Sequence, residues 1–262
     1  MGNEHYQIGY ALSGGFIKGF AHLGAMQALN EEDIHPEIIS GVSAGSLAGA
    51  FYADGVEPYE ALQFFSGYKF SDLTRWTLPK NGFFDLTEFI DFIRTHIKAK
   101  NIEDLKIPFI ITATNLDQGI ITHFKTGSLP ERIAASCCMP ILFSPIQIDG
   151  VNYVDGGVLM NFPPSTIRPY CKEVIGVNVS PFVPKVYKNS LLNIAMRSFN
   201  LMVKANTYSQ RRLCDILIEP YNLNGYNNTD LEKAEEIFQV GYDCAKVKLN
   251  QIKQTQGKLG LQ

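Results

Sequence analysis

Three glycine-bearing motifs carry the residue types from which an acyl-transfer site can be built. In Gly41-Val42-Ser43-Ala44-Gly45 a serine stands between two glycines, after the apolar Ile38-Ile39 and before the helical stretch Ser46-Leu47-Ala48-Gly49-Ala50-Phe51. This is the sequence form of a nucleophile elbow. A serine on a tight strand-to-helix turn needs almost no side chain two positions to either side, because the backbone there folds against itself. Its hydroxyl then projects from the sheet edge, with the positive end of the next helix dipole aimed at it. Ser13-Gly14-Gly15-Phe16-Ile17-Lys18-Gly19 supplies peptide N–H groups that can converge on a developing oxyanion, although the same glycines would also serve a plain strand-to-helix turn. Asp155-Gly156-Gly157 sets a carboxylate where backbone or substrate can approach closely, and Asp-Gly is equally a common turn dipeptide. A G-x-G-x-x-G is absent and Lys18-Gly19 does not stand in Walker order, so dinucleotide and P-loop readings fail.

The histidines narrow the chemistry. His5, His22, His35, His96 and His123 all precede Asp155, which excludes a triad in the order serine, acid, histidine with Asp155 as its acid. His22 on the first helix and His123 in a strand read as structural. If Ser43 is a nucleophile, its base is then a carboxylate acting directly. An unperturbed Asp lies about 2.6 pKa units below His, roughly 3.5 kcal/mol in proton affinity, a deficit that burial reduces.

The elements around these motifs follow a strand–helix–strand pattern. Residues 7–12 alternate Ile8, Tyr10 and Leu12 with small residues, as a closely packed strand does. Residues 20–31 read as a helix whose Ala21, Gly24, Ala25 and Ala28 let it lie close to the sheet, and 37–41 as the next strand. Gly14 and Ser43 are 29 residues apart (43 − 14), about the length of one βαβ unit. A right-handed crossover makes the two strands parallel neighbours, so that both loops open at the carboxyl edge of the sheet.

Further along, helices are expected at 43–53, 58–65, 86–100, 130–138 and 163–171. Strands are expected at 107–115, 119–125, 144–148, 151–154, 173–179 and 214–218. Residues 66–85 mix Tyr68, Phe70, Trp76, Phe83 and Phe84 with Lys69, Arg75 and Lys80, which suits either an acyl-pocket wall or lid or a loop anchored by its aromatics. Residues 182–212 hold six cations and no acid. In the helix there, Arg197, Lys204 and Arg211 share one stripe, with Leu191, Ala195, Phe199 and Met202 opposite. Of two readings, attraction to anionic headgroups and a core-packed helix with a solvated basic face, the second is preferred. A last helix is expected over 230–252, with Gly241 and Ala245 on its buried face.

Taken in order, Ser13 to Gly19, Gly41 to Gly45 and Asp155 to Gly157 resemble the patatin-like phospholipases of the short bacterial type. The likeness extends through Phe20-Ala21-His22-Leu23-Gly24, through Ala134-Ala135-Ser136-Cys137-Cys138-Met139-Pro140 and from Val154 to Pro163. It implies an α/β fold, three-layer α/β/α with a mainly parallel central sheet, as one domain over 1–262. The motif-bearing core would occupy about 7–180, with helical completion over 181–254 and a disordered tail at 255–262. It also implies a Ser43–Asp155 catalytic dyad, an acyl-serine intermediate and hydrolysis of lipid acyl esters without metal or organic cofactor. The oxyanion hole would come from the N–H groups of Gly14, Gly15 and Phe16, with Lys18 shaping the loop or drawing an anionic headgroup. One departure stands out: the family's loop has three consecutive glycines before the basic residue, and here the third is Phe16, whose side chain needs room and an allowed φ. The alternatives are a lipid-binding or regulatory protein of the same fold with impaired catalysis, and a soluble esterase or thioesterase that never meets a bilayer.

Composition sets the limits within which this reading must fit. With 262 residues and 45% hydrophobic content the chain can bury one large core, and a net charge of −3 gives no reason to expect nucleic acid as a partner. Five cysteines without C-x-x-C spacing indicate neither a disulfide framework nor a zinc site. The first residues lack a basic, then apolar leader and no run reaches the length of a membrane span, so the expected location is the cytoplasm, with room for a peripheral contact at the inner membrane surface.

Overall fold

The computed structural model describes residues 6–76, 84–181, 189–226 and 230–259. In chain order its first half comprises β1 (Tyr6–Leu12), α1 (Phe20–Asn30), β2 (Ile38–Val42), α2 (Ala44–Asp54), α3 (Pro58–Gln63), β3 (Arg75–Trp76), β4 (Phe84–Asp85), α4 (Thr87–His96), β5 (Phe109–Asn115) and β6 (Ile120–Phe124). The second half comprises α5 (Leu129–Cys137), β7 (Ile146–Ile148), β8 (Val151–Asp155), β9 (Cys171–Val177), α6 (Leu191–Ala205), α7 (Tyr208–Arg211), β10 (Ile216–Ile218) and α8 (Ala234–Leu259).

The main sheet runs β10-β9-β1-β2-β5-β8-β7, with β6 also paired to β5. Strands β10, β9, β1, β2 and β5 are mutually parallel, while β6, β7 and β8 are antiparallel additions. β1 and β2 are parallel neighbours, with Leu12 beside Gly41, so the glycine loop and the serine turn leave the sheet at the same edge. β8 runs the other way, and Asp155 pairs with Ala113, one residue past the Thr112 that pairs with Val42. The carboxylate thus reaches the same edge from the opposite direction.

Period-two alternation divides the strands between two cores. Tyr10, Leu12, Ile39, Ile111, Ile175 and Val177 face the larger one, which takes in residues of α1, α2, α4 and α8. Ala11, Ile38, Ile110 and Val174 face the other, closed by Phe162 and Ile167. That second layer differs from expectation: residues 163–171 form two 3-10 turns, Pro164–Thr166 and Arg168–Tyr170, in place of a helix. Pro163, Pro164 and Pro169 remove N–H donors that an α-helix would need there.

The small residues of α1 also find a different partner. A Cβ at Gly24 would lie 1.9 Å from the Phe238 carbonyl oxygen of α8, and one at Gly241 would lie 2.1 Å from that of Ala21. The close approach is to the last helix, where Ile237, Phe238, Ala245 and Leu249 are buried. α4 ends at His96, earlier than the amphipathic pattern suggests, and α8 runs to Leu259, into the stretch expected as a tail.

Candidate active site

Ser43 is the residue between β2 and α2, with φ 51° and ψ −126°. A non-glycine residue holds such a conformation only where its surroundings fix it, at about 1–3 kcal/mol. The glycines on either side supply the room. A Cβ at Gly41 would stand 2.5 Å from the Gly45 carbonyl oxygen, and one at Gly45 would stand 2.4 Å from that of Leu12. Hydrogen bonds lock the peptides around the serine. Its N–H donates to Ser136 Oγ at 2.8 Å, and Ser136 in turn donates to the Thr112 carbonyl at 2.7 Å. Its carbonyl accepts from the Ser46 hydroxyl at 2.6 Å and the Ser46 N–H at 2.8 Å.

Asp155 closes β8 and is as buried as Ser43, each 6% exposed. Its N–H donates to the Cys138 carbonyl at 2.8 Å and its carbonyl accepts from Thr114 Oγ1 at 3.1 Å, so the backbone is held from both sides. Gly157 N–H donates to the Asp155 carboxylate at 2.7 Å. Burial lifts its pKa to about 6, against the opposing pull of hydrogen bonds from Gly157 and the Ser43 hydroxyl. The structure therefore brings Ser43 and Asp155 together in a dry site.

The glycine loop is fixed from behind. Gly14 O accepts from Ser180 Oγ at 2.8 Å, Ser13 Oγ at 3.2 Å and Asn161 Nδ2 at 3.4 Å. In a planar trans peptide the next N–H points the opposite way. Three donors on Gly14 O thus aim the Gly15 N–H outward, and the Lys18 N–H on Gly15 O, at 3.2 Å, does the same for Phe16. Neither Gly15 nor Phe16 N–H finds an acceptor among the described residues. Gly14 differs: its N–H, expected as an oxyanion donor, donates to the Asn161 carbonyl at 2.9 Å and is occupied.

Ser180 is accordingly one of the side chains that hold the Gly14–Gly15 peptide in place. Ser180→Ala should lower kcat toward a soluble ester about tenfold with KM held, short of the 10²–10³ expected for loss of a direct donor. Ser180→Thr, which keeps the hydroxyl, should restore the rate. An unchanged kcat in the alanine variant would remove the role.

Phe16 has φ 57°, the left-handed region that a glycine would occupy without strain. Its ring is held instead by Phe70 and Phe143, at centroid distances of 6.0 and 6.4 Å. Together with Leu47, Phe51, Phe89 and Ser43 these rings line an apolar cavity of about 140 Å³. Phe70, Leu73 and Thr74 place the start of the aromatic 66–85 segment in its wall. Residues 77–83, on which a lid would turn, lie outside the described residues.

His22 is fully buried and held neutral, its pKa pushed by burial to about 4, with Nε2 at 2.8 Å from the Ser13 carbonyl oxygen. His123 pairs with Thr112 Oγ1 at 2.9 Å. Both imidazoles brace the site's frame. Lys18 is half-buried in the 3-10 turn Phe16–Gly19 and contributes its N–H to the loop. Asn161, Ser180, Ser136 and Asn206 were not singled out by the sequence reading. Asn161 and Ser136 fall within stretches that carry the family likeness, whereas Ser180 and Asn206 have no local signal. Among the described residues, no three His, Cys, Asp or Glu side chains are grouped as a metal site requires.

A family model described as patatin-like phospholipase matches residues 10–166, more than half of the chain. Among curated proteins the chain is similar to the lysophospholipase nte1 of Neosartorya fischeri, 29% identical over 97% of this chain and 19% of that protein. It is 30% identical to the lysophospholipase NTE1 of Kluyveromyces lactis over 90% of this chain and 18% of that protein. The chain thus spans about a fifth of the length of these relatives. Among solved structures, VipD from Legionella pneumophila superposes with a TM-score of 0.62 at 13% identity, covering 94% of this chain and 67% of that one.

Proposed function

The chain belongs to the patatin-like phospholipase family, and on that premise we propose that it is a serine-dependent lipid acyl hydrolase working through a Ser43–Asp155 dyad. The observation that carries the reading is the buried Asp155 carboxylate with its pKa near 6 and a hydrogen bond from Ser43. An Asp raised that far lies within about half a unit of an ordinary His, so a direct carboxylate base loses little against the usual imidazole.

In this mechanism Ser43 Oγ attacks the acyl carbonyl while Asp155 takes its proton. The Gly15 and Phe16 N–H groups stabilise the oxyanion. Asp155 gives the proton to the departing alcohol, leaving an acyl-serine, then takes one from the attacking water and returns it to Ser43 Oγ as the fatty acid leaves. The cavity beside Ser43 receives the acyl chain. The relatives bear the name lysophospholipase, so a monoacyl phospholipid is the proposed substrate class. Lys18 closes the loop through its backbone N–H.

The test is intact-mass spectrometry after exposure to a fluorophosphonate, followed by peptide mapping. One adduct on Ser43 is expected, together with release of fatty acid from a monoacyl phospholipid. Absence of any adduct in the folded chain would favour a binding protein with an impaired site, with Phe16 as first suspect.

A further inference from the structure

α6 gives its apolar side to two surroundings. Phe199 packs against the main core, yet Leu191 is 88% exposed, Met202 54%, Ile194 43% and Leu201 39%. At about 100° per residue these four fall within an arc of about 100°, beside Arg197 and Lys204. The reading of a helix whose apolar stripe belongs wholly to the core therefore holds only for the side bearing Phe199.

The stripe lies in a basic, acid-free part of the chain. Residues 181–214 hold six cations and no acid, in a protein of net charge −3. Arg211 is engaged by Glu219, and Lys204 Nζ donates to the Pro181 carbonyl. Arg197 and Arg212 make no ion pair among the described residues. The helix is also fastened to the active site. Asn206, directly after α6, accepts from Asn161 N–H at 2.8 Å and donates to the Gly157 carbonyl at 2.9 Å. Leu159, four residues past Asp155, adds another exposed apolar side chain, at 38%.

From these observations we infer that the exposed stripe of α6 is a docking surface for an anionic bilayer, with Leu191, Ile194, Leu201 and Met202 entering the interface and Arg197 and Arg212 meeting lipid phosphates. Apolar side chains bordered by cations are what an interfacial helix offers to anionic lipid. The pin at Asn206 ties the end of α6 to Gly157, two residues past Asp155, and so links the docked helix to the dyad's turn. The purpose of the surface rests on the hydrolase reading; the binding does not.

Binding is measured by co-sedimentation of the chain carrying Ser43→Ala, so that hydrolysis alters no vesicle. Vesicles of phosphatidylcholine and phosphatidylglycerol in equal parts should bind at least about tenfold tighter than phosphatidylcholine alone. Leu191→Ser, Ile194→Ser and Met202→Ser together should weaken that binding at least about tenfold. Arg197→Gln with Arg212→Gln should remove the preference for phosphatidylglycerol. With Ser43 intact, the triple serine variant should hydrolyse a monomeric soluble ester at the parent rate. If the triple variant misfolds, Met202→Trp decides: its emission should shift to the blue on anionic vesicles, and an unshifted spectrum overturns the assignment. No binding by the parent, or equal binding by a folded triple variant, also overturns it. Vesicle binding in this pattern without any esterase activity would refute the hydrolase reading and leave the docking surface standing.

Discussion

Asp155→Asn should lower kcat at least about 10³-fold, because the substitution removes the carboxylate that accepts from Ser43 while keeping its shape. The amide can still accept from Gly157 N–H, as the carboxylate does at 2.7 Å, so the turn has no reason to move. Ser43→Ala should lose at least as much, and the double variant should be no worse than Ser43→Ala alone, since the two residues act as a unit. Wild-type kcat/KM should rise about tenfold per pH unit below pH 6 and level off above it, tracking ionisation of a base whose pKa is about 6. A flat profile between pH 5 and 7, or a double variant far slower than either single one, would be incompatible with the dyad.

The same carboxylate predicts a change of opposite sign in stability. Its pKa rises from 3.8 to about 6 on burial. The folded state therefore holds the proton more tightly than the unfolded one, and the stability this confers is complete below about pH 4 and lost as pH rises through 6. At 1.36 kcal/mol per unit, the ionised form burdens the fold by up to about 3 kcal/mol at pH 8. Asp155→Asn should accordingly melt up to about 6–12 °C higher than wild type at pH 8 and no higher at pH 4. The inactive variant would be the more stable one.

Gly24→Ala should destabilise the fold by at least about 3 kcal/mol, enough to lower Tm by about 6–12 °C. Two effects compete. Alanine is the better helix former by about 1 kcal/mol, but its Cβ would stand 1.9 Å from the Phe238 carbonyl oxygen, which only a shift of α1 against α8 can relieve. That shift would loosen the packing of Ile237, Phe238, Ala245 and Leu249 together, and it dominates. Gly241→Ala should act alike, and the pair should lose less than the sum, because helices parted by one methyl leave room for the other. A raised Tm in either variant would show that the helices separate freely.

The sequence was most legible where chemistry and backbone geometry impose the same residues. Gly41 is required by the Gly45 carbonyl oxygen, 2.5 Å from an absent Cβ, and such a requirement is written within five residues. The βαβ crossover and the parallel strands are likewise local in origin. What depends on distant partners was not legible. Nothing near Gly14 indicates that its N–H belongs to Asn161 or that its carbonyl takes the Ser180 hydroxyl. Nothing near Gly24 names α8 as the surface it approaches. Amphipathicity marked α6 as two-sided, but only its packing shows Phe199 covered and Leu191 bare.

The Ser180 clamp on the glycine loop also bears on synthesis. The Ser13 N–H waits for the Val177 carbonyl at 3.1 Å, its hydroxyl accepts from Val179 at 2.9 Å, and Gly14 waits for Ser180 and Asn161. All of these emerge from the ribosome long after the serine they serve. A nascent or proteolytically shortened chain that lacks them carries the Ser43 turn without the hydrogen bonds that hold the glycine loop beside it, so the loop takes its shape only once residues 161–180 are in place.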